Sequence, residues 1–382
     1  MLQYRKIVYY VGIYQFLLSI NIFQKVVDKN KNVLASPVNA HIGLSMVAYG
    51  AAGRTSMQLQ EFLHLPVNED LTHQAFEELH VYLNRLEKVT FKLANKIYID
   101  RRSKVRNEYK QITTKLFYYE PSIIDTRYSE LSTRFMNEWA EQDTDHAIRN
   151  VINIGEMTPD TRLFLVNTVY FKGKWARRFE KCSTKNRNFN IDWNIQEQVP
   201  TMFSADYYVY GELLDLKAEF IELPFENTDL KMIIIIPNEI DGLQSIIENL
   251  ESFNRTRLFE SGSLQDIHVY LPKFRIQSSI DMKKPLEQLG MTEMFQDNAN
   301  FIGITNEPVR VNKIVQKTFI DVNEDGNEGS NSTPRKKPFS SSSNSKLKLW
   351  VFVADRPFLF KIVNDRLGMT LCIGTVVNPT NN

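Results

Sequence analysis

Residues 322–346 read VNEDGNEGSNSTPRKKPFSSSSNSK, and residues 347–379 read LKLWVFVADRPFLFKIVNDRLGMTLCIGTVVNP. The first stretch is polar and rich in glycine, serine and proline, whereas the second is strongly hydrophobic. Only 36 residues follow Lys346, too few for an independent core, so these apolar strands must pair with strands placed earlier in the chain. The polar stretch is therefore predicted to be an exposed loop held to one fold at both ends, and loops of this length are usually functional or disordered.

The composition is that of an ordinary globular protein. The chain has 382 residues, a net charge of +1, 43% hydrophobic residues and 24% charged residues. Length alone suggests two domains, because single cores usually stop growing near about 250–300 residues. The near-neutral charge gives no electrostatic reason to expect nucleic acid or an anionic membrane as a partner. Two cysteines, Cys182 and Cys372, define no disulfide framework.

The N-terminal residues allow two interpretations. Arg5 and Lys6 precede a mostly apolar run from Ile7 to Ile20, which is typical of a secretory signal and predicts a secreted, extracellular protein. No A-x-A-like cleavage site follows, and the run is too short to span a bilayer. Alternatively, Tyr14 to Val27 forms an amphipathic first helix, and the protein stays inside the cell. Residues 1–20 are thus predicted to be a signal peptide or an N-terminal extension.

Hydrophobic periodicity indicates helices in the first half of the chain and strands in the second. Helical patterns cover residues 36–64, 71–87 and 282–295, whereas β-branched and aromatic runs cover 90–99, 161–171, 231–237 and 266–274. Runs of helices followed by runs of strands are typical of an α+β fold.

One motif in the polar stretch imitates a calcium loop. Asp321, Asn323, Asp325 and Gly326 match the D-x-N-x-D-G opening of such a loop. The twelfth position, which must supply a bidentate glutamate, is Ser332. Calcium binding is therefore not predicted.

Enzyme and metal signatures are absent from the sequence, so no enzymatic activity is predicted. It contains no H-E-x-x-H, C-x-x-C, G-x-S-x-G or G-x-x-x-x-G-K-[ST] motif, and its histidines have no recognisable metal spacing. A short basic cluster could meet a polyanion, but a solvated surface is the preferred interpretation because little aromatic character is interleaved with the charges. The cluster comprises Arg101, Arg102, Lys104, Arg106 and Lys110.

Ordered stretches over nearly the whole chain resemble the serpin family. They include NVLASPVNAHIGLSMVAYGAAGRT at 32–55, LFLVNTVYFKGKW at 163–175, VYLPKF at 269–274, VNEDGNEG at 322–329 and FVADRPFLF at 352–360. The resemblance implies one domain over residues 21–382, with three β-sheets, about nine helices and a reactive-centre loop at about 324–351. It overrides the two-domain expectation from length.

The resemblance also implies a function. In this family the reactive-centre loop is offered as bait to a serine protease, and after cleavage its N-terminal part inserts into the central sheet and traps the acylated protease. The expected partner is thus a target serine protease. No cofactor, nucleic acid or integral membrane partner is expected, and the protein is expected to be a monomer.

Individual positions match the family's functional residues. Glu324 opens the hinge and is expected to pair with Lys273, Trp175 marks the place where the loop first enters the sheet, and Ser340–Ser341 is the formal scissile bond. Four residues match the polar cluster where the sheet parts: Ser36, Asn39, Asn167 and Gln316. The structural alternatives are that Trp175 is a core residue and that Lys273 and Glu324 form a weak surface pair worth about 0–1 kcal/mol.

The hinge residues from Gly326 onward depart from what insertion needs. Strand alternation places six residues on the face that is buried in the family: Asn327, Gly329, Asn331, Thr333, Arg335 and Lys337. Burying Arg335 and Lys337 without partners would cost several kcal/mol per ion, and Pro334 and Pro338 each remove a ladder donor. These features favour the alternative function, a non-inhibitory serpin whose loop is only cleaved as a substrate or used as a binding surface, in a carrier, chaperone or ligand-binding role.

The bait bond has more than one candidate. The loop is about six residues longer than compact family examples, so Ser340–Ser341 is only the formal bond. Arg335, Lys336 and Lys337 suit trypsin-like proteases, although a cut there leaves a short segment for trapping. Ser340, with Phe339 before it, suits an elastase-like pocket.

Two N-x-[ST] sequons predict a glycoprotein if the chain is secreted. They begin at Asn254 and Asn331. A glycan on Asn331 would obstruct insertion of the loop, and Pro334 directly after that sequon lowers the expectation that it is used.

Overall fold

The computed structural model describes residues 18–65, 69–227, 229–324 and 349–381, which form nine α-helices and fourteen β-strands. The helices are α1 (residues 18–26), α2 (Pro37–Ala48), α3 (Gly53–Leu63), α4 (Glu69–Asn84), α5 (Asn107–Phe117), α6 (Ser129–Asp143), α7 (Leu243–Glu248), α8 (Arg255–Ser261) and α9 (Lys283–Gln288). The strands are β1 (Val33–Ala35), β2 (Val89–Asp100), β3 (Ser122–Ile124), β4 (Leu163–Gly173), β5 (Lys185–Asn190), β6 (Gln196–Leu213), β7 (Ala218–Pro224), β8 (Leu230–Pro237), β9 (Ser263–Pro272), β10 (Phe274–Asp281), β11 (Val311–Val322), β12 (Trp350–Val353), β13 (Phe358–Asn364) and β14 (Met369–Val376). The predicted α+β class is confirmed.

The five-stranded sheet carries the candidate site. Its strand order is β10-β11-β4-β2-β3. The central pair, β11 and β4, is parallel from Val311 opposite Leu163 to Ile320 opposite Phe171, whereas β10 and β2 run antiparallel to their neighbours β11 and β4. Because β11 is the last strand before the polar stretch, the chain leaves this sheet at its centre.

The other strands form one nine-stranded hydrogen-bonded network rather than the two further sheets expected from the resemblance. Its path is β1-β14-β13-β8-β7-β6-β9-β12, with β5 added to β6. The 18-residue strand β6 joins the two parts, because it pairs with β5 and β9 over most of its length and with β7 at its C-terminal end. The expected sheets are therefore present but continuous through β6.

Three apolar layers hold these elements together. The largest lies between the two sheets and includes residues of α2 to α5. A second layer covers the outer side of the nine-stranded sheet with α1, α7 and α8, and a third covers the five-stranded sheet with α6. Burial of this apolar surface is the main favourable contribution to the folding free energy.

The hydrophobic C-terminal stretch completes both parts of the larger network, as predicted. β12 pairs with β9, β13 lies between β8 and β14, and β14 also pairs with β1 near the start of the described chain. The polar stretch is thus held by β11 on one side and by β12 on the other.

Helix α1 bears on the interpretation of the N-terminus. Leu18 and Ile20 are at most 5% exposed, and Phe23 is fully buried, so removal of residues 1–20 would take two side chains out of the core. The signal-peptide and helix interpretations of residues 1–20 both stay predictions. None of the described helices combines the length and apolar character that a membrane-spanning helix requires.

Candidate functional site

An acidic residue is anchored where β11 ends. Glu324 Oε2 lies 2.9 Å from Nζ of Lys273, and its Oε1 accepts a hydrogen bond of 2.7 Å from Thr184 Oγ1. The side chain of Glu324 is only 6% exposed, whereas that of Lys273 is 38% exposed. The structure therefore places the two residues together, as the resemblance implies, in an ion pair that is buried on the Glu324 side and open to solvent on the Lys273 side. Their role in loop movement stays a prediction.

These contacts favour the charged form of Glu324. Burial opposes ionisation, but hydrogen bonds from Thr184 and Lys273 outweigh it and hold the pKa of Glu324 below its usual value. A carboxylate with a depressed folded-state pKa contributes stability above its unfolded pKa of about 4.3 and loses that contribution as the pH falls through the folded value.

The substitution Glu324→Gln is expected to lower the free energy of unfolding by about 1 kcal/mol at pH 7, because it removes the charge from a partly buried ion pair. The difference from the wild type should shrink as the pH falls below about 4.3 and vanish only below the depressed folded-state pKa of Glu324. Urea unfolding at pH 7 and along a series of acidic pH values measures it. Glu226→Gln is the control, since Glu226 pairs with exposed Arg178 at 3.3 Å near the same sheet end. An equal effect of both variants, or a pH-independent one, would contradict the anchoring role.

Trp175 closes the same end of the sheet. Its indole Nε1–H donates a 2.9 Å hydrogen bond to the backbone oxygen of Asn323, and its ring stacks on Phe225 at 4.7 Å between centroids. Trp175 is 3% exposed, so it is a core residue that also holds the last residues of the described chain before the polar stretch. The two sequence-based interpretations of Trp175 are therefore compatible.

A polar layer lies beneath the middle of the β4–β11 pair. Ser36 is the N-cap of α2. Pro37 follows in the first turn, where a backbone N–H would have no partner within the helix, so the missing N–H of proline removes no helical hydrogen bond. Gln316 on β11 binds the Ser36 backbone twice, accepting from its N–H and donating to its C=O, both at 2.8 Å. The Ser36 hydroxyl donates to the backbone oxygen of Leu371 at 2.7 Å. Helix α2 is thus linked to β11 and to the larger sheet network.

The asparagines of this layer are less well satisfied. Asn39 Nδ2 donates to the backbone oxygen of Thr168 at 3.0 Å, and Asn167 Nδ2 donates to Asn95 Oδ1. In the described part of the chain, Asn39 Oδ1, Asn167 Oδ1 and the Thr168 hydroxyl are buried without a hydrogen-bond partner. The backbone of α2 passes close by, because a Cβ at Gly43 would collide with Asn167. Buried unsatisfied polar atoms cost about 1–3 kcal/mol each, so the closed sheet carries a local penalty.

The chain after α6 crosses the outer face of β4 and β11. We call residues 148–157 the crossing segment; its apolar side chains pack against Phe164 on β4 and Val315 on β11. Asn137 on α6 binds the backbone N–H and C=O of Ile152, each at 3.0 Å. Two lysines tie β11 to the segment, Lys313 to the carboxylate of Glu156 at 2.8 Å and Lys317 to the backbone oxygen of Asn150. A strand added between β4 and β11 must displace this cover.

Two residues of the site, Asn95 and Thr184, were not predicted from the sequence. Asn95 lies opposite Asn167 on the antiparallel β2–β4 pair, and a polar residue inside an apolar strand was a signal that could have found it. Thr184, which binds Glu324, sits in a short polar connection before β5 and has no distinguishing pattern.

Several predicted residues lie outside the described part of the chain. They are the hinge residues Gly326, Asn327, Gly329, Asn331 and Thr333, the bait candidates Arg335, Lys336 and Lys337, and the formal bond Ser340–Ser341. The glycosylation candidate Asn331 is among them, as are Asp325 and Ser332 of the calcium-like motif. These predictions rest on the sequence.

The basic cluster is largely neutralised by its neighbours. Carboxylates lie within ion-pairing distance of four of its members: Arg101 with Asp125, Arg102 with Asp100, Arg106 with Glu108 and Lys110 with Glu120. A polyanion would have to displace these acids, so the arrangement supports the solvated-surface interpretation. The more exposed of these pairs, Arg106–Glu108 and Lys110–Glu120, contribute little to stability, whereas the carboxylate of Asp100 is fully buried.

The remaining candidates have local structural partners. Asn254 is the N-cap of α8: its Oδ1 accepts from the Arg257 N–H at 3.0 Å and its Nδ2 donates to the Glu251 oxygen at 3.2 Å. Asp321, from the calcium-like motif, is paired with Arg275 at 3.1 Å. Among the described residues no cluster of three histidine, cysteine or acidic side chains could hold a metal ion.

The chain is similar to known proteins over nearly its whole length. The family model "Serpin (serine protease inhibitor)" matches residues 16–379. Serpin B4 of Homo sapiens is 31% identical over 92% of this chain and 95% of its own, and leukocyte elastase inhibitor of Sus scrofa is 28% identical over 94% and 97%. The crystal structure of Serpin48, a highly specific serpin of the insect Tenebrio molitor, superposes with a TM-score of 0.86 at 30% identity, covering 96% of this chain and 98% of that one.

Proposed function

The chain belongs to the serpin family of serine protease inhibitors, and from that premise we propose that it inhibits a serine endopeptidase as a suicide substrate. The protease cleaves the loop between β11 and β12, and the part attached to β11 then inserts between β11 and β4. The observation that carries the proposal is that β11, the strand running into the loop, pairs in parallel with β4 at the centre of the sheet.

This topology makes insertion favourable. A segment that follows β11 and turns back must run antiparallel to β11 and, because β4 is parallel to β11, antiparallel to β4 as well. Insertion therefore replaces one parallel ladder by two antiparallel ladders, which are slightly more stable per residue. A strand matching β4 has 11 residues, which spans about 36 Å. Movement over that length would carry an attached protease along the sheet.

The polar layer lowers the cost of parting the strands. In the closed sheet, Asn39 and Asn167 each leave a buried side-chain oxygen without a partner in the described residues. Because this penalty is already present in the closed sheet, it does not add to the free energy needed to part β4 and β11. This arrangement supports a native state in which the β4–β11 pair is less stable than its apolar surroundings.

The substitution Asn137→Ala is expected to lower the stability of the uncleaved protein by about 1–2 kcal/mol and to speed loop insertion, because it frees the crossing segment from α6. Urea unfolding measures the first effect, and the time course of tryptophan fluorescence after loop cleavage measures the second. Asn153→Ala is the matched control, since Asn153 lies in the crossing segment but its side chain binds the partly buried Glu156 of the same segment instead of α6. Insertion at the wild-type rate in Asn137→Ala would contradict the role of this cover.

The function is tested by mixing the full chain with trypsin and, separately, with elastase, followed by denaturing gels and intact-mass analysis. Basic residues at Arg335–Lys337 support the first arm, and Ser340 together with the name of the pig relative supports the second. A covalent complex that resists SDS is the expected result, and the mass of the released C-terminal peptide identifies the cleaved bond. Cleavage with full recovery of protease activity across a wider panel of serine proteases would overturn the proposal.

A second candidate function is a non-inhibitory serpin that uses its loop as a substrate or docking surface. Arg335 and Lys337 on the face that insertion would bury, together with Pro334 and Pro338, favour it. The two functions differ in whether cleavage is followed by insertion of the loop into the sheet.

Secretion remains a proposal that rests on the basic and apolar N-terminal run. Expression of the full chain in a eukaryotic cell line, followed by mass analysis of medium and lysate, tests it. Intact protein confined to the lysate would contradict secretion.

A further inference from the structure

Lys361 interrupts an apolar layer. It lies on β13 opposite Ile233 of β8 and Ile373 of β14, both of which belong to the layer under α8. The residue is 3% exposed, and its Nζ donates a 3.3 Å hydrogen bond to the backbone oxygen of Phe253. Burial disfavours the ammonium form and lowers the pKa of Lys361 to about 8. An apolar residue at this position would avoid the desolvation penalty, so the lysine is a candidate for chemistry.

A cavity of about 440 Å³ opens beside this amine. Its walls come from α8 and from strands of the nine-stranded network. Its apolar lining includes Val209, Ile233, Phe253, Leu258, Leu264 and Met369. Its volume falls in the range of small-molecule pockets, which are mostly apolar and contain a few polar groups.

The charges at the cavity are already paired with one another. Nζ of Lys231 lies 2.8 Å from both Glu222 Oε2 and Asp365 Oδ2, and Arg255 lies 3.9 Å from Asp365. An ionised ligand would lose its hydration on binding and would gain little in return, because the charged side chains at the rim are already paired with one another. A neutral apolar guest loses little hydration free energy and gains burial.

We propose that Lys361 and this cavity form a covalent site for a neutral, apolar aldehyde. The unprotonated Nζ attacks the carbonyl carbon, a C–N bond forms, and the carbonyl oxygen takes up one of the amine protons. The carbinolamine then loses its hydroxyl group with the second nitrogen proton as water, leaving an imine. No oxidant or reductant is required, and apolar walls that exclude water slow the reverse hydrolysis.

Two other lysines provide an internal comparison. Burial also lowers the pKa of Lys96 and of Lys317, but neither lines this cavity. Lys96 lies 5.3 Å from the ring centre of Trp139, and Lys317 donates to the backbone oxygen of Asn150. Selective reaction at Lys361 would thus reflect the cavity as well as the basicity of the amine.

The test treats the full wild-type chain with octanal and sodium cyanoborohydride, which reduces imines to stable secondary amines, and maps the adducts by mass spectrometry. Near neutral pH the unprotonated fraction of an amine with a pKa of about 8 exceeds that of an ordinary lysine roughly a hundredfold, so Lys361 should react tens of times faster than exposed lysines. Its rate should level off above about pH 8, while exposed lysines keep accelerating. Adducts spread over exposed lysines, or labelling of Lys96 and Lys317 as fast as Lys361, would overturn the proposal.

Two further comparisons isolate the cavity. Leu264→Trp narrows the rim at a residue that is 61% exposed, so it leaves the core and Lys361 intact and should slow labelling of Lys361 at least tenfold. Glyoxylate, a charged aldehyde, should label Lys361 far more slowly than octanal does. Unchanged labelling in Leu264→Trp, or equal labelling by the two aldehydes, would contradict a site selective for neutral apolar guests. This inference involves no loop residue and stands apart from the inhibitory function.

Discussion

Cleavage of the chain within residues 325–348 is expected to raise the midpoint of thermal unfolding by about 10–20 °C. An inserted strand of about ten residues replaces the parallel β4–β11 ladder by two antiparallel ladders, so the net gain is one ladder of about ten hydrogen bonds, each of which contributes roughly 1 kcal/mol net. For a chain of 382 residues, 1 kcal/mol moves the midpoint by about 1–2 °C. The gain arises because β11 and β4 are parallel neighbours that can accept an antiparallel strand between them.

Calorimetry of intact and cleaved protein measures this shift. Limited digestion with elastase, checked by mass so that only one loop bond is cut, produces the cleaved sample. Intact protein incubated with inactivated protease is the control. A cleaved protein with an unchanged midpoint would show that the loop does not insert and would favour the non-inhibitory function.

The second large effect is expected at Gln316, where replacement by leucine should lower the free energy of unfolding by about 2–3 kcal/mol. Gln316 is fully buried and supplies the acceptor for the Ser36 N–H and one donor to the Ser36 C=O. The C=O keeps a second donor, the N–H of Ala40 at 3.1 Å, so the main cost is one orphaned N–H. Chemical unfolding at pH 7 measures the loss.

Two variants bracket the Gln316 result. Gln316→His keeps a donor and an acceptor and should recover part of the lost stability. Thr318 lies on the same face of β11 as Gln316, and its hydroxyl donates a single hydrogen bond of 2.7 Å to the backbone oxygen of Leu34. Thr318→Val removes that bond and should lower the free energy of unfolding by about 1 kcal/mol. If Gln316→Leu cost no more than Thr318→Val, the polar layer would not be a structural link between α2 and β11.

Much of the fold was predictable because its signals are local or repetitive. The helical pattern over residues 36–64 indicated α2 and α3, and apolar runs indicated β4 and β8. The need to bury the last strands required them to pair with earlier ones, as β12 and β13 do. The sequence did not predict that β6 joins the two expected sheets into one network. Alternation of side chains along a strand does not indicate which strands it pairs with, and β6 pairs with different strands along its length.

The candidate site was predictable only in part, because its contacts join distant parts of the chain. No local spacing connects Glu324 with Lys273, so that pair came from the family resemblance and the structure supplied its geometry. Thr184 carries no sequence signal, since a threonine in a polar connection looks like any loop residue. The exposed fraction of Glu324 likewise depends on tertiary packing rather than on residue type.

The central claim, insertion between β4 and β11, is tested most directly by tying these strands together. Tyr170 and Phe319 are register neighbours whose ring centres are 5.6 Å apart, and both are only partly buried. The double variant Tyr170→Cys/Phe319→Cys should form a disulfide there. A Cys182→Ser background removes the exposed native thiol.

The measurement is the unfolding midpoint of this variant after loop cleavage, with the tether oxidised and then reduced. Each single-cysteine variant serves as a control for the substitutions themselves. We predict that the oxidised protein is cleaved without any rise in the midpoint beyond that of its uncleaved form, and that reduction then releases a rise of about 10–20 °C. An equal rise with the tether intact, or no rise after reduction, would contradict insertion between β4 and β11.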